Sequence, residues 1–176
     1  MDYSELHSLW LSSGFNTRLS KCLVVDSTNQ RMIFYKHKRA IKSFIISSAK
    51  NGLGNQQGSY QTPHGFFQIA EKIGGDQPIN MLFKSRKPTG ECALINSEYA
   101  TKNDTIMTRI LWLSGLQKGI NLEGDVDTKN RYIYIHGTAD EENLGKPASH
   151  GCIRMKNTDI INLYDDVDNK TIVYIY

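Results

Sequence analysis

From Lys21 to its end the chain is a series of short apolar runs, rich in β-branched and aromatic residues, separated by polar turns. "KCLVVDS", "QRMIFYKHKRAIKSFIIS", "TRILWLSGL", "RYIYIHG" and "TIVYIY" each have the length and composition of a strand, and several alternate in polarity. The first two read as a strand followed by a hairpin. The basic patch "KHKR" (Lys36 to Arg39) then falls at a solvated turn rather than on a phosphate-binding surface. In "TRILWLSGL" the residues Ile110, Trp112 and Thr108 are expected on one face. A long Gly/Asn/Gln loop, "SAKNGLGNQQGSYQTPHG", feeds a strand through Phe66, Phe67 and Ile69. The polar stretch from Lys84 to Asp104 reads as a loop or as an excursion over a groove.

Only two segments have helical spacing. "MDYSELHSLWLSSGF" places Tyr3, Leu6, Leu9 and Trp10 on one stripe, with Ser4 as a cap and Gly14 as a stop. "KNTDIINLYDDV" places Ile160, Leu163, Tyr164 and Val167 together behind a cap at Asn157 or Thr158. The expectation is a mainly β fold with one or two short helices, without repeats or a linker.

Length and charge narrow the function classes. The 176 residues suit one domain with a real core. A net charge of +3 without a dense basic stripe argues against nucleic acid as partner. A weak attraction to anionic surfaces stays open. No transmembrane segment is expected, and the first fifteen residues lack the basic start, apolar run and cleavage site of a signal peptide. The expected location is therefore the cytoplasm, or the periplasm if residues precede Met1. Oligomeric state is not legible.

Three cysteines, Cys22, Cys92 and Cys152, are odd in number and far apart, which is no disulfide framework. Cys22 heads an apolar run and reads as a core residue. Cys152 differs because of its company, "RYIYIHGTADEENLGKPASHGCIRM". A strand ends at His136, a polar loop follows, and "SHGC" comes next. Cysteine catalysis needs an activated thiol, a base and oxyanion donors. His136 supplies a base for Cys152, and the N–H groups around Gly151 and Cys152 supply donors. Gly137 and Gly151 let the backbone turn sharply or approach a substrate. If "CIRM" is extended, Arg154 shares the face of Cys152 while Ile153 and Met155 enter the core. Arg154 is then a fixed cation for the thiolate or for a substrate carboxylate. A zinc site of His136, His150 and Cys152 lacks a fourth ligand at a recognisable spacing, so no metal is assigned. A papain-like arrangement fails on the order of cysteine and histidine.

"IHG…SHGCIRM" resembles the signature of the YkuD-type L,D-transpeptidase catalytic domain. "TPHG" (Thr62–Gly65) resembles that family's TPxG segment, and "STNQRMIFY" its early hairpin. The likeness runs from about Cys22 to Tyr176. It implies a two-sheet β-sandwich over residues 21–176, behind an N-terminal helical segment of residues 1–20. It also implies Cys152 as nucleophile, His136 as general base and the Gly137 carbonyl as orienting group. Ser149, His150 and Gly151 become supports of the thiol and oxyanion, and Arg154 a substrate contact. Asp140 and Glu141 are expected to line the loop. The implied substrate is a peptidoglycan stem tetrapeptide, cleaved without a cofactor between its third residue (diaminopimelate-type) and terminal D-Ala. For a signal-peptide-less member, the expectation is an L,D-carboxypeptidase trimming tetrapeptides to tripeptides in murein recycling. The alternatives are a periplasmic transpeptidase that forms 3–3 cross-links or exchanges D-amino acids, and a non-catalytic module that binds stem peptides.

Overall fold

The computed structural model describes residues 1–96 and 104–176. Part of the polar stretch from Lys84 to Asp104, residues 97–103, lies outside the described residues. Among the described residues, ten strands form one continuous sheet: β1 (Lys21–Asp26), β2 (Arg31–Lys36), β3 (Arg39–Ser47), β4 (Gly65–Ile73), β5 (Met81–Lys84), β6 (Lys87–Cys92), β7 (Ile106–Gly115), β8 (Tyr134–Gly137), β9 (Ile153–Met155) and β10 (Ile172–Ile175). Their order is β4-β10-β1-β2-β3-β9-β8-β7-β5-β6, and β4 also pairs with β7. That last pairing closes the sheet on itself into a barrel-like sandwich. The β5–β6 hairpin projects from the free half of one edge of β7.

Burial on both faces explains the unbroken apolar run of β1. Leu23 and Val25 enter the barrel interior beside Met32, Phe34, Ile135 and Ile153. Cys22 and Val24 point outward, where helix α1 (Tyr3–Ser12) covers them with Leu6 and Trp10. A strand covered on both sides loses its alternation. Helix α1 is capped by Asp2 in a capping box with Glu5, so the start signal lies two residues before the expected Ser4. Helix α2 (Asn157–Asp166) buries Ile160 and Leu163 in the same interior. Each such side chain contributes about 1.5–3 kcal/mol. Its N-cap position is Lys156, and the Asn157 side chain is turned to another task described below.

Two departures from expectation bear on the site. Inside Lys84–Asp104 the chain forms a hairpin rather than a loop. Its β6 half is exposed throughout and carries Pro88, so it lacks the alternation that marks a half-buried strand. The turn residues Ser85 and Arg86 both have left-handed φ (49° and 67°), the pair a tight two-residue hairpin requires. In β7, Thr108 does not share a regular face with Ile110 and Trp112. It sits fully buried at φ 70° in a bulge, where the register to β8 shifts between Met107 and Ile110. The "KHKR" patch is the β2–β3 turn, with His37 and Lys38 left-handed.

Candidate active site

Strands β8 and β9 run parallel, with Ile135 opposite Ile153 and His136 opposite Arg154. The period of two then sends Ile135, Ile153 and Met155 to the core and puts Tyr134, His136, Cys152 and Arg154 on the other face. Cys152 and His136 are diagonal neighbours across this pair. With strands about 4.8 Å apart and two residues spanning about 6.6 Å, their Cα atoms stand about 8 Å apart, within reach of the two side chains.

The thiol is held by the backbone. Cys152 Sγ accepts the Tyr134 N–H at 3.4 Å and lies 3.5 Å from the Tyr132 carbonyl oxygen, to which the S–H donates. His136 is buried, and its Nδ1 is 2.7 Å from the carbonyl oxygen of Gly137. A carbonyl only accepts, so Nδ1 carries the hydrogen and Nε2 of the neutral ring keeps a lone pair. That is the tautomer a base needs. Burial holds the His136 pKa below its ordinary value, while the Asp104 charge and the Gly137 carbonyl act in the opposite direction. Cys152 retains some exposed surface, but the protein packed around its sulfur pushes the thiol up to about 12. Burial thus favours the uncharged form of both the thiol and the imidazole.

The loop before Cys152 is clasped from three sides. Gly151 has φ 137°, and a side chain there would press on Ile133 and the Gln61 carbonyl, so glycine is required. Thr62 of "TPHG" is fully buried; its hydroxyl accepts the Ala49 N–H and donates to the Gly151 carbonyl, both at 2.9 Å. This is why that distant segment belongs to the site. Ser149 Oγ accepts the Gly151 N–H at 3.2 Å and donates to the Cys152 carbonyl. The Gly151 N–H is therefore engaged. Gly137 makes its close approach to protein, not to substrate space. A Cβ there would meet Asn157 Oδ1 and lie 2.8 Å from the Met107 carbonyl oxygen.

Arg154 has different surroundings from those expected of a substrate contact. It is 3% exposed, with Nη2 2.7 Å from Asp104 and Nη1 3.0 Å from Asp140. Two carboxylates pair with its Nη atoms, and its charge acts on Cys152 through space. Asp140 is buried against Arg154 instead of lining the loop, and Glu141 binds the Asn157 backbone and side-chain amides at 2.9 and 2.7 Å. The Asn157 carboxamide also donates to the Thr138 carbonyl at 2.7 Å and accepts the Thr108 hydroxyl, tying the β7 bulge to the end of β8. Exposed His150 pairs through Nδ1 with Asp104 at 2.8 Å.

Asp104 is the member of this charge network that sequence reasoning missed. Burial pushes its carboxyl up, but Arg154, then His136 and His150, outweigh burial and hold it below the ordinary range. Nothing in its polar neighbourhood marks it. Arg131 was also missed; it binds the carbonyls of Gly54 and Gln61 at 3.0 and 2.7 Å and so pins the long loop beside the thiol. A groove of about 250 Å³ opens there, lined by Tyr60, Arg131, Tyr132 and His150 among others. Among the described residues no group of three His, Cys, Asp or Glu side chains is arranged to hold a metal ion.

A closed β-sheet with a cysteine and a correctly tautomerised histidine on one face of two parallel strands defines the class: a cysteine-centred catalytic domain of β architecture. The chain belongs to the L,D-transpeptidase catalytic domain (YkuD) family, whose model matches residues 20–175. It is 34% identical over 91 residues to the putative L,D-transpeptidase YkuD of Bacillus subtilis, 52% of this chain and 46% of that protein. It thus spans about half the length of this curated relative. Its fold is similar to that of an L,D-transpeptidase from Mycobacterium smegmatis (TM-score 0.54, 16% identity, 92% of this chain and 61% of that one). It is similar as well to the LD transpeptidase LdtMt1 solved in complex with imipenem (TM-score 0.55, 16% identity, 89% and 59%). At such identities the likeness is one of fold.

Proposed function

We propose that this chain is a cysteine acyltransferase acting on peptidoglycan stem peptides, with Cys152 as nucleophile and His136 as general base. The observation that carries the reading is the backbone-held thiol of Cys152 on the face of a histidine whose Nδ1 is committed to the Gly137 carbonyl. His136 Nε2 takes the thiol proton as Sγ bonds to the carbonyl carbon on the L-centre of the third stem residue. The Cys152 N–H receives the developing oxyanion. Collapse breaks the bond to the terminal D-Ala, whose amine leaves with the proton from His136. An acyl-enzyme remains.

The acceptor decides the product. We favour water, so that a tetrapeptide becomes a tripeptide, and we place this activity in the cytoplasm on small soluble stems. A second reading is transfer to an amine of another stem, for which the groove at Tyr60 and His150 offers room beside the loop that carries Cys152.

The test is to incubate the protein with a disaccharide tetrapeptide, with and without an acceptor stem, and read products by mass, with Cys152→Ala as control. Loss of alanine in both mixtures supports hydrolysis, and cross-linked dimers support transpeptidation. Unchanged peptide with binding retained in Cys152→Ala sinks both in favour of a binding module.

A further inference from the structure

The arginines of the domain differ in their partners. Arg154 is held by two carboxylates, and Arg131 and Arg109 by backbone carbonyls. Arg86, at the tip of the β5–β6 hairpin, has no carboxylate within ion-pair distance among the described residues. Its guanidinium lies 4.6 Å above the Trp112 ring and 5.1 Å above the Tyr132 ring. One of its five N–H donors reaches Tyr134 Oη at 3.2 Å.

Those rings tie the cation to the residues that surround the thiol. Tyr132 supplies the carbonyl and Tyr134 the N–H that hold Cys152 Sγ, and Cys152 packs against the cluster containing Tyr134 and Trp112. The left-handed turn at Ser85 and Arg86 fixes the arm that carries the guanidinium. Stacking on two aromatic faces leaves the planar fork half-exposed and pre-oriented, the form suited to bidentate pairing with a carboxylate. Exposed Lys129, 5.2 Å from the Trp112 ring, adds a second positive charge on this side.

We propose that Arg86 is a specificity residue that receives a carboxylate of the substrate while stacked on Trp112 and Tyr132. The proposal rests on the stem-peptide reading above. Such a peptide offers two carboxylates near its cleaved bond: the terminal one of the leaving D-Ala and the side-chain one of diaminopimelate.

The test measures kcat and KM for three peptides: the free-acid tetrapeptide, its C-terminal amide, and the tetrapeptide with lysine in place of diaminopimelate. Wild type, Arg86→Gln and Arg86→Lys are compared, with near-ultraviolet circular dichroism to establish that each is folded. Wild type is expected to favour the free acid over one of the other two by about ten- to a hundredfold in kcat/KM, the range of a charge-assisted hydrogen bond. Arg86→Gln collapses that ratio towards one, chiefly through KM, and Arg86→Lys restores part of it. Discrimination against the amide identifies the terminal carboxylate, and discrimination against the lysine peptide identifies the side-chain one. An equal fall for all three peptides, with the ratios kept, overturns the assignment and makes Arg86 only the fastening of the hairpin. Turnover by wild type with ratios insensitive to Arg86 sinks this proposal alone. No turnover of any peptide and no acyl mass on Cys152 sinks the stem-peptide reading, and the Arg86 assignment with it.

Discussion

Replacing Asp104 by asparagine tests whether the charge network behind the site acts on the chemistry. Asp104 lies between the buried Arg154, at 2.7 Å, and the exposed His150, at 2.8 Å. Arg154 keeps Asp140 at 3.0 Å, so the variant loses one of two carboxylates rather than stranding the cation. A contact to a buried charged group contributes about 1.5–3 kcal/mol. The His150 arm, facing solvent, adds little after screening. For a domain of this size that is a fall in Tm of roughly 3–12 °C. The sign against pH is fixed by the lowered folded pKa of Asp104. Its carboxylate contribution is present above the ordinary value of 3.8 and fades as pH falls through the folded value. Wild type and variant should therefore converge in acid and differ at neutral pH. The kinetic effects follow from the same charge. Asp104 raises the pKa of both His136 and Cys152, so its neutralisation moves the acid limb of kcat/KM to lower pH and makes the thiol easier to ionise. Thermal melts from pH 3 to 8 and a pH–rate profile read both. A Tm unchanged within about 1 °C, or an acid limb that stays in place, refutes the reasoning.

Three further outcomes are expected. The neutral resting thiol predicts slow alkylation of Cys152 by iodoacetamide at pH 7, with a rate still rising at pH 10; a plateau near neutrality would mean a thiolate–imidazolium pair instead. Thr62→Val leaves the buried Ala49 N–H without its acceptor and frees the Gly151 carbonyl, costing about 1–3 kcal/mol in urea denaturation and lowering kcat while Cys152 stays titratable. Gly137→Ala drives a methyl into the Asn157 carboxamide and the Met107 carbonyl, so it should destabilise by about 1–3 kcal/mol or more, and a neutral result would show that the β7 bulge yields.

The parts legible in the sequence were those that local pattern encodes. β-branched and aromatic runs announced β1 to β4, β7, β8 and β10, and helical spacing announced α1 and α2, whereas β9 was expected only on the condition that "CIRM" is extended. Cys152, His136, Gly151 and Thr62 were visible as "SHGC", "IHG" and "TPHG", since a nucleophile at a sharp turn demands particular residues in succession. The β5–β6 hairpin was not legible because β6 buries nothing and so has no apolar period. The Thr108 bulge was hidden because β-branched threonine is an ordinary strand residue until the register shift is seen. Asp104 and Asp140 are acids in polar stretches, indistinguishable in sequence from solvated ones.

Two arginines show the limit most sharply. Arg154 stands inside the motif and invites assignment as a substrate contact, yet it lies behind the site with Asp104 and Asp140. Arg86 stands in a stretch with no strand signal, yet a hairpin and three aromatic rings carry it to the cluster against which Cys152 packs. Position in a motif fixes which side chains share a strand face. Whether a charged group on that face meets solvent or another charge depends on residues about 50 positions earlier, such as Asp104, and on long-range strand pairing. The division of labour that results is chemical. A cation already paired with two carboxylates stabilises architecture and tunes neighbouring pKa values, and one stacked on rings with open donors remains able to select an anion.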